Sequence, residues 1–255
     1  MVNSMKRCAK GFLLSLCMFS ALPLPTRTWD DACKDLALPC LPLVGGLVGA
    51  MWWAIAELLK LSGAHTALAA AALALFPFFA TGFLHLDGYM DTSDAMLSRR
   101  PLEEKLRILK DPHVGAFAAI MLAALFTLQF AACWAVTEKG SHLALLVVVA
   151  VVSRCCCSIS VLCLSAMPSS SYANMFKQGT GTAHKVFVAV LAVPTVAAAC
   201  LYAGACGLAV ALSAILGYAA AISWTVREFK GISGDLSGFA IVISEICGLT
   251  VLAAF

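Results

Sequence analysis

Seven stretches of this chain are apolar for long enough to cross about 30 Å of hydrocarbon at ~1.5 Å per helical residue: 36–59, 64–84, 114–136, 143–167, 186–203, 206–224 and 239–255. Backbone groups inside lipid must find hydrogen-bond partners within their own segment, so such stretches fold as α-helices. The expected fold is all-α, a polytopic integral membrane helical bundle of about seven transmembrane helices forming one domain over residues 1–255. Composition agrees. Of 255 residues 62% are apolar and 12% charged, and 17 Lys+Arg with 14 Asp+Glu are too few to clothe a water-soluble globule. A net charge of +3, with the basic residues dispersed, excludes a nucleic-acid footprint. The 12 cysteines lie mostly in apolar runs, as in Cys155, Cys156 and Cys157, and form no C-x-x-C pair, so they read as packing residues rather than disulfides or metal ligands.

The first apolar run, 11–25, is shorter and ends in Pro23 and Pro25, which fits an interfacial or re-entrant helix. Lys6, Arg7 and Lys10 ahead of it raise a cleaved signal peptide as the alternative, but no A-x-A-like site precedes Pro23. With seven crossings, one face collects Lys6, Arg7, Lys10, Arg27, Lys34, Arg99, Arg100, Lys105, Arg107, Lys110, Lys177, Lys185, Arg227 and Lys230, against Lys60 and Lys139 on the other. Positive charges stay on the cytoplasmic side, so the N-terminus and the polar stretches 85–113, 168–185 and 225–238 face the cytoplasm. Within the first of these, 101–111 reads as a short cytoplasmic amphipathic helix. Fourteen basic residues against two set the orientation.

The densest polar signal is His85-Leu86-Asp87-Gly88-Tyr89-Met90-Asp91-Thr92-Ser93-Asp94. On a helix Asp87, Asp91 and Asp94 stack on one face, where they repel unless a cation or donor intervenes. Oxygen ligands without a thiolate suit a hard divalent ion such as Mg²⁺, which takes one or two carboxylates together with substrate phosphate oxygens. Gly88 permits close approach of a phosphate to the backbone. Lys110 and Asp111 return the chain to the membrane, the lysine suited to phosphate and the aspartate to metal. Arg154 and Glu245 lie inside predicted spans, where an ionisable group needs a cavity or a partner. Arg154 therefore either clamps a phosphate or forms a structural pair with Glu245 or an aspartate. The turn Lys230-Gly231-Ile232-Ser233-Gly234-Asp235 adds another acid before a span, and Asn174, Lys177 and His184 are polar loop residues suited to phosphate or base contacts.

These residues carry a resemblance. His85-Leu86-Asp87-Gly88-x-x-Asp91-Thr92-x-Asp94, Lys110-Asp111-x-x-x-Gly115-Ala116-Phe117 and Gly231-x-Ser233-Gly234-Asp235-x-x-Gly238 with Glu245 resemble the cobalamin synthase, or adenosylcobinamide-GDP ribazoletransferase, family. The likeness extends over essentially the whole chain, including Phe19 to Pro25, Ser153-Arg154 and Tyr172-Ala173. Ala21, Pro112-His113, Asn174 and Lys230 depart from the family pattern, whereas the acids all remain. The resemblance implies a bacterial or archaeal inner-membrane enzyme with its site facing the cytoplasm. It joins adenosylcobinamide-GDP to α-ribazole or its 5′-phosphate with release of GMP. Mg²⁺ is the implied cofactor, held by Asp87, Asp91 and Asp94 with Asp111, Asp235 or Glu245. Lys110, Arg154, Gly88, Asn174 and Lys177 would contact substrate, and an aspartate or His85 would take a proton. A homo-oligomer is compatible with this reading. A CDP-alcohol phosphotransferase and an ion-coupled transporter are the alternatives. The D-G-x-x-A-R signature of the former is absent, as is the internal symmetry of the latter.

Overall fold

A computed structural model describes residues 2–24, 30–168, 170, 174–176 and 178–255. Its helices are α1 (Val2–Phe19), α2 (Lys34–Ala37), α3 (Leu41–Leu61), α4 (Thr66–Ala80), α5 (Leu84–Leu97), α6 (Leu102–Ile108), α7 (Ala116–Lys139), α8 (Leu145–Cys163), α9 (Thr182–Phe229) and α10 (Gly234–Ala254). Among the described residues the one β feature is an isolated bridge between Ala166 and Ile232. By length and apolar composition five helices can cross a membrane, or six if α4 and α5 form one broken span.

The longest helix is a helix in two pieces. Gly204 has φ 55° and ψ −126°, a conformation that a side chain disfavours, and it divides α9 into 182–203 and 205–229. A Cβ on Gly207 would overlap the Ala199 carbonyl, so the second segment doubles back on the first. The expected runs 186–203 and 206–224 are therefore recovered as the two arms of one hairpin. Their outer ends agree, because His184 approaches Asp35 at 3.4 Å while Glu228 pairs with Lys105 of α6 at 2.6 Å. At the opposite end of the bundle Lys139 donates to the carbonyls of Ala253 and Ala254, and Lys60 to that of Gly140. Lysines placed on last-turn carbonyls satisfy acceptors that a helix cannot.

Two boundaries differ from the sequence expectation for identifiable reasons. The N-terminal helix begins at Val2, ahead of the basic residues, and stops at Phe19, because Arg7 and Lys10 find acids, Asp35 at 2.6 Å and Asp30 at 3.0 Å, and because prolines follow. The last helix starts at Gly234, earlier than its apolar run, because Ser233 caps it by accepting from the Leu236 amide at 3.3 Å. The cap draws Asp235 into the first helical turn. Between α4 and α5 the axis bends by 91° at Gly82 and Phe83, both with left-handed φ. At 14 residues α5 is too short to cross alone, and after the bend it turns its acids across one end of the bundle. Among the described residues no two cysteines form a disulfide, and Cys33, Cys40, Cys133, Cys155, Cys157 and Cys206 are buried.

Candidate functional site

The end of the bundle that carries α2, α5 and α6 holds a cavity of about 290 Å³. Its polar lining comes from separate elements: His85 and Asp87 from α5, Lys110 after α6, Ser170 from the loop after α8, and Ser233, Gly234, Asp235 and Ser237 from the start of α10. A close helix crossing brings the two acidic segments together. A Cβ on Gly88 would stand 2.7 Å from the Asp235 carbonyl oxygen and 2.9 Å from its Cα. The close approach expected at Gly88 is thus made by the α10 backbone, and not by a phosphate on that face. Gly238 returns the contact, since a Cβ there would meet the His85 Cα at 3.3 Å. Behind the crossing, Met167 donates to the Ile232 carbonyl at 3.0 Å and Ile232 to that of Ser165 at 2.9 Å, which fixes the turn leading into α10.

Among the described residues none of Asp87, Asp91, Asp94 and Asp235 has a basic partner within 4.0 Å. Partial burial, and then the Asp87, Asp235 and Asp94 carboxylates in that order, push the Asp91 carboxyl up to about 6. Four acids therefore share one electrostatic neighbourhood. No group of three His, Cys, Asp or Glu converges into a ready-made metal cage among the described residues. Asp94, whose charge also acts on Asp91, is engaged by α7. It accepts from the Ala118 amide at 3.4 Å and crowds Gly115, so that it caps the start of α7.

The remaining predicted residues fall elsewhere. Asp111 is exposed beside His113, whose amide donates to it at 3.0 Å and whose imidazole lies 2.7 Å away, and these hold its carboxyl below the usual range. It does not line the cavity. Asn174 donates to the Ser170 carbonyl at 3.1 Å, one residue removed from the lining. Lys177 lies outside the described residues. Arg154, 1% exposed, forms an ion pair with Glu245 and also donates to Ser153 Oγ at 3.0 Å and the Ala150 carbonyl at 3.3 Å. Of the two readings of Arg154, the structure shows the paired one, and Glu245 faces Arg154 in place of an ion. Neither lines the cavity, although Arg154 lies near its floor, as an electrostatic neighbour of Cys157 and His85. His85 is buried, and its Nε2 has no hydrogen-bond partner among the described residues.

Sequence reasoning missed Phe19, Leu41, Cys157, Met167, Ser170 and Ser237 as lining residues. Most sit in apolar runs, where a lining residue and a packing residue look alike. The cap pattern Ser233-Gly234-Asp235 was the readable signal for where α10 begins.

A bundle of apolar helices with a polar, acid-rich cavity at one end defines a polytopic membrane protein. The family of cobalamin-5-phosphate synthases, CobS, matches residues 11–253, and the chain belongs to it. A Clostridium botulinum protein named adenosylcobinamide-GDP ribazoletransferase is 36% identical over 249 residues, covering 96% of this chain and 97% of its own. Proteins of the same name from Clostridium perfringens and Geobacillus kaustophilus are 34% and 30% identical, over 97% and 93% of this chain and 99% and 92% of theirs. No solved structure matches it.

Proposed function

We propose that the protein is an adenosylcobinamide-GDP ribazoletransferase that works with Mg²⁺ at the cytoplasmic face of the inner membrane. One observation carries the chemistry: Asp87 and Asp235, from two helices crossing at Gly88, face the same cavity as Lys110 and the N-terminus of α10. Acids without basic partners, beside a lysine and a helix N-terminus, suit a diphosphate accompanied by a cation. The donor set fits Mg²⁺, because Asp87, Asp91 and Asp235 offer oxygen only. A preformed cage is unnecessary for an ion that completes its shell with phosphate oxygens and water. Bound there, the ion supplies neutralisation of charge developing on the pyrophosphate.

The chain's own residues do the rest. Lys110 and the first amides of α10 hold phosphate oxygens, and the crossing of α5 with α10 sets the line of attack. A ribazole hydroxyl forms a bond to the corrinoid-linked phosphorus as the bond from that phosphorus to the GMP oxygen breaks. The hydroxyl proton passes to a cavity carboxylate. Reading both arms of the α9 hairpin and α4 as crossings supports a count of seven, and Lys105 and Lys110 at the cavity end support the cytoplasmic side. The test is turnover by the full-length protein in liposomes, supplied with adenosylcobinamide-GDP and α-ribazole 5′-phosphate, with and without Mg²⁺. Stoichiometric GMP and corrinoid nucleotide that require the ion are expected. Equal turnover in chelator removes the metal from the proposal, and solute flux without turnover would favour a transporter.

A further inference from the structure

Outside the cavity, where α6 meets the end of α9, the chain gathers cations that its own acids do not neutralise. Lys105, buried on α6, donates to the Glu228 carboxylate at 2.6 Å and so ties this short helix to the last turn of α9. Arg227 and Lys230 flank that contact, the Lys230 charge acting on Glu228, and Arg99 and Arg100 lead into α6. All four are exposed, and among the described residues none has an acid within 4.0 Å. Arg107, by contrast, is paired with Glu104 at 2.9 Å. Exposed apolar side chains fix the depth of this basic collar. Trp224, 48% exposed, stands one turn before Glu228 and three residues from Arg227, so indole and guanidinium share a face of α9. Val114 and Phe117, also exposed, lead the chain from α6 into α7. Tryptophan beside basic residues at the end of an apolar span marks the headgroup layer of a bilayer. The Lys105 ion pair therefore holds α6 down at that layer.

We infer that this collar binds the headgroup of an anionic phospholipid, its phosphate taken by Arg99, Arg100, Arg227 and Lys230 and its acyl chains running along α9 past Trp224. Guanidinium groups suit the partner, because their fork of donors matches phosphate oxygens. A lipid fits better than a soluble anion, because the same cations border apolar surface that acyl chains cover. Basic residues at the end of a membrane helix attract anionic lipid through charge that the fold leaves free. A consequence follows from the order of the chain. Leu109 and Lys110 come directly after α6 and line the cavity, so a headgroup that steadies α6 also steadies Lys110. Only this consequence rests on the proposed function; the lipid site does not.

The test takes the full-length protein from micelles containing equal phosphatidylglycerol and phosphatidylcholine and counts retained lipids by native mass spectrometry. Phosphatidylglycerol should be retained over phosphatidylcholine by about tenfold. Arg227→Gln with Lys230→Gln, and separately Arg99→Gln with Arg100→Gln, should each reduce that ratio about fivefold. Lys6→Gln with Lys185→Gln, which removes the same charge elsewhere, should leave it unchanged. Equal retention of both lipids, an equal loss in all three double variants, or displacement of the lipid by inorganic phosphate overturns the site. In liposomes the KM for adenosylcobinamide-GDP should be about threefold lower with phosphatidylglycerol than with phosphatidylcholine alone, and Arg227→Gln with Lys230→Gln should abolish the difference. Selective retention with one KM in both liposomes overturns the link to Lys110. Selective retention without turnover in either overturns the proposed function and leaves the lipid site standing.

Discussion

Two sets of charged side chains in this protein meet opposite fates. Deep in the bundle Arg154 and Glu245 form an ion pair, and the same guanidinium nitrogen of Arg154 also donates to Ser153 and the Ala150 carbonyl. At the end of the bundle Asp87, Asp91 and Asp235 lie near one another without a basic partner among the described residues. A charge buried in apolar surroundings must be neutralised by the fold itself, because nothing else can reach it. Acids at an open cavity can wait for a visitor to neutralise them. The difference separates charges that the bundle neutralises itself from charges left open to a ligand.

Four single substitutions and one double variant sharpen or break that contrast. The largest effect is expected for Asp87→Asn, which keeps the shape and removes the charge: turnover should fall about a thousandfold while the protein still inserts and unfolds at the same temperature. Full turnover in this variant would break the functional half of the comparison. Next, Glu245→Ala should lower stability by about 3 kcal/mol, followed by thermal unfolding in detergent, because Arg154 is left buried without a counter-ion. Arg154→Met together with Glu245→Gln should recover most of the loss, and failure to do so would mean that the pair acts beyond structure. Lys110→Ala should raise the KM for the diphosphate substrate about tenfold with the fold unchanged. The smallest effect belongs to Asp111→Asn, less than about twofold on turnover, since this residue pairs with His113 outside the cavity.

A pH titration probes the same contrast without mutating its strongest member. The Asp91 carboxyl is pushed up to about 6 by partial burial and by its acidic neighbours. Because it holds its proton more tightly folded than unfolded, it adds stability at low pH, and that contribution is lost as the pH rises from about 4 through about 6. In the ion-free protein the unfolding temperature should therefore fall across this interval, and Asp91→Asn should flatten the fall. An identical pH profile in the variant would show that the acids do not share a field.

The helices were legible because each apolar run is longer than any soluble helix needs to be, and lipid leaves the backbone no alternative. Even the hairpin at Gly204 was foreshadowed by two separate runs, 186–203 and 206–224. The acidic helix could be read from the spacing of Asp87, Asp91 and Asp94. What the spacing did not contain was which acids meet across helices. Asp94 shares a face with Asp87 yet caps α7, whereas Asp235, nearly 150 residues later, joins the cavity. Part of the cavity lining was unreadable for a related reason: Leu41 and Met167 are apolar whether they pack against protein or line a cavity.

The crossing of α5 and α10 works as a spacer gauge set by a missing methyl group. With hydrogen at position 88 the two backbones touch, and the acids on either side inherit their separation from that contact. Gly88→Ala would act as a wedge that leaves every ionisable group in place and moves them apart by a fraction of an ångström. The rate of transfer then becomes a measure of how finely two carboxylates must be spaced to share one cargo.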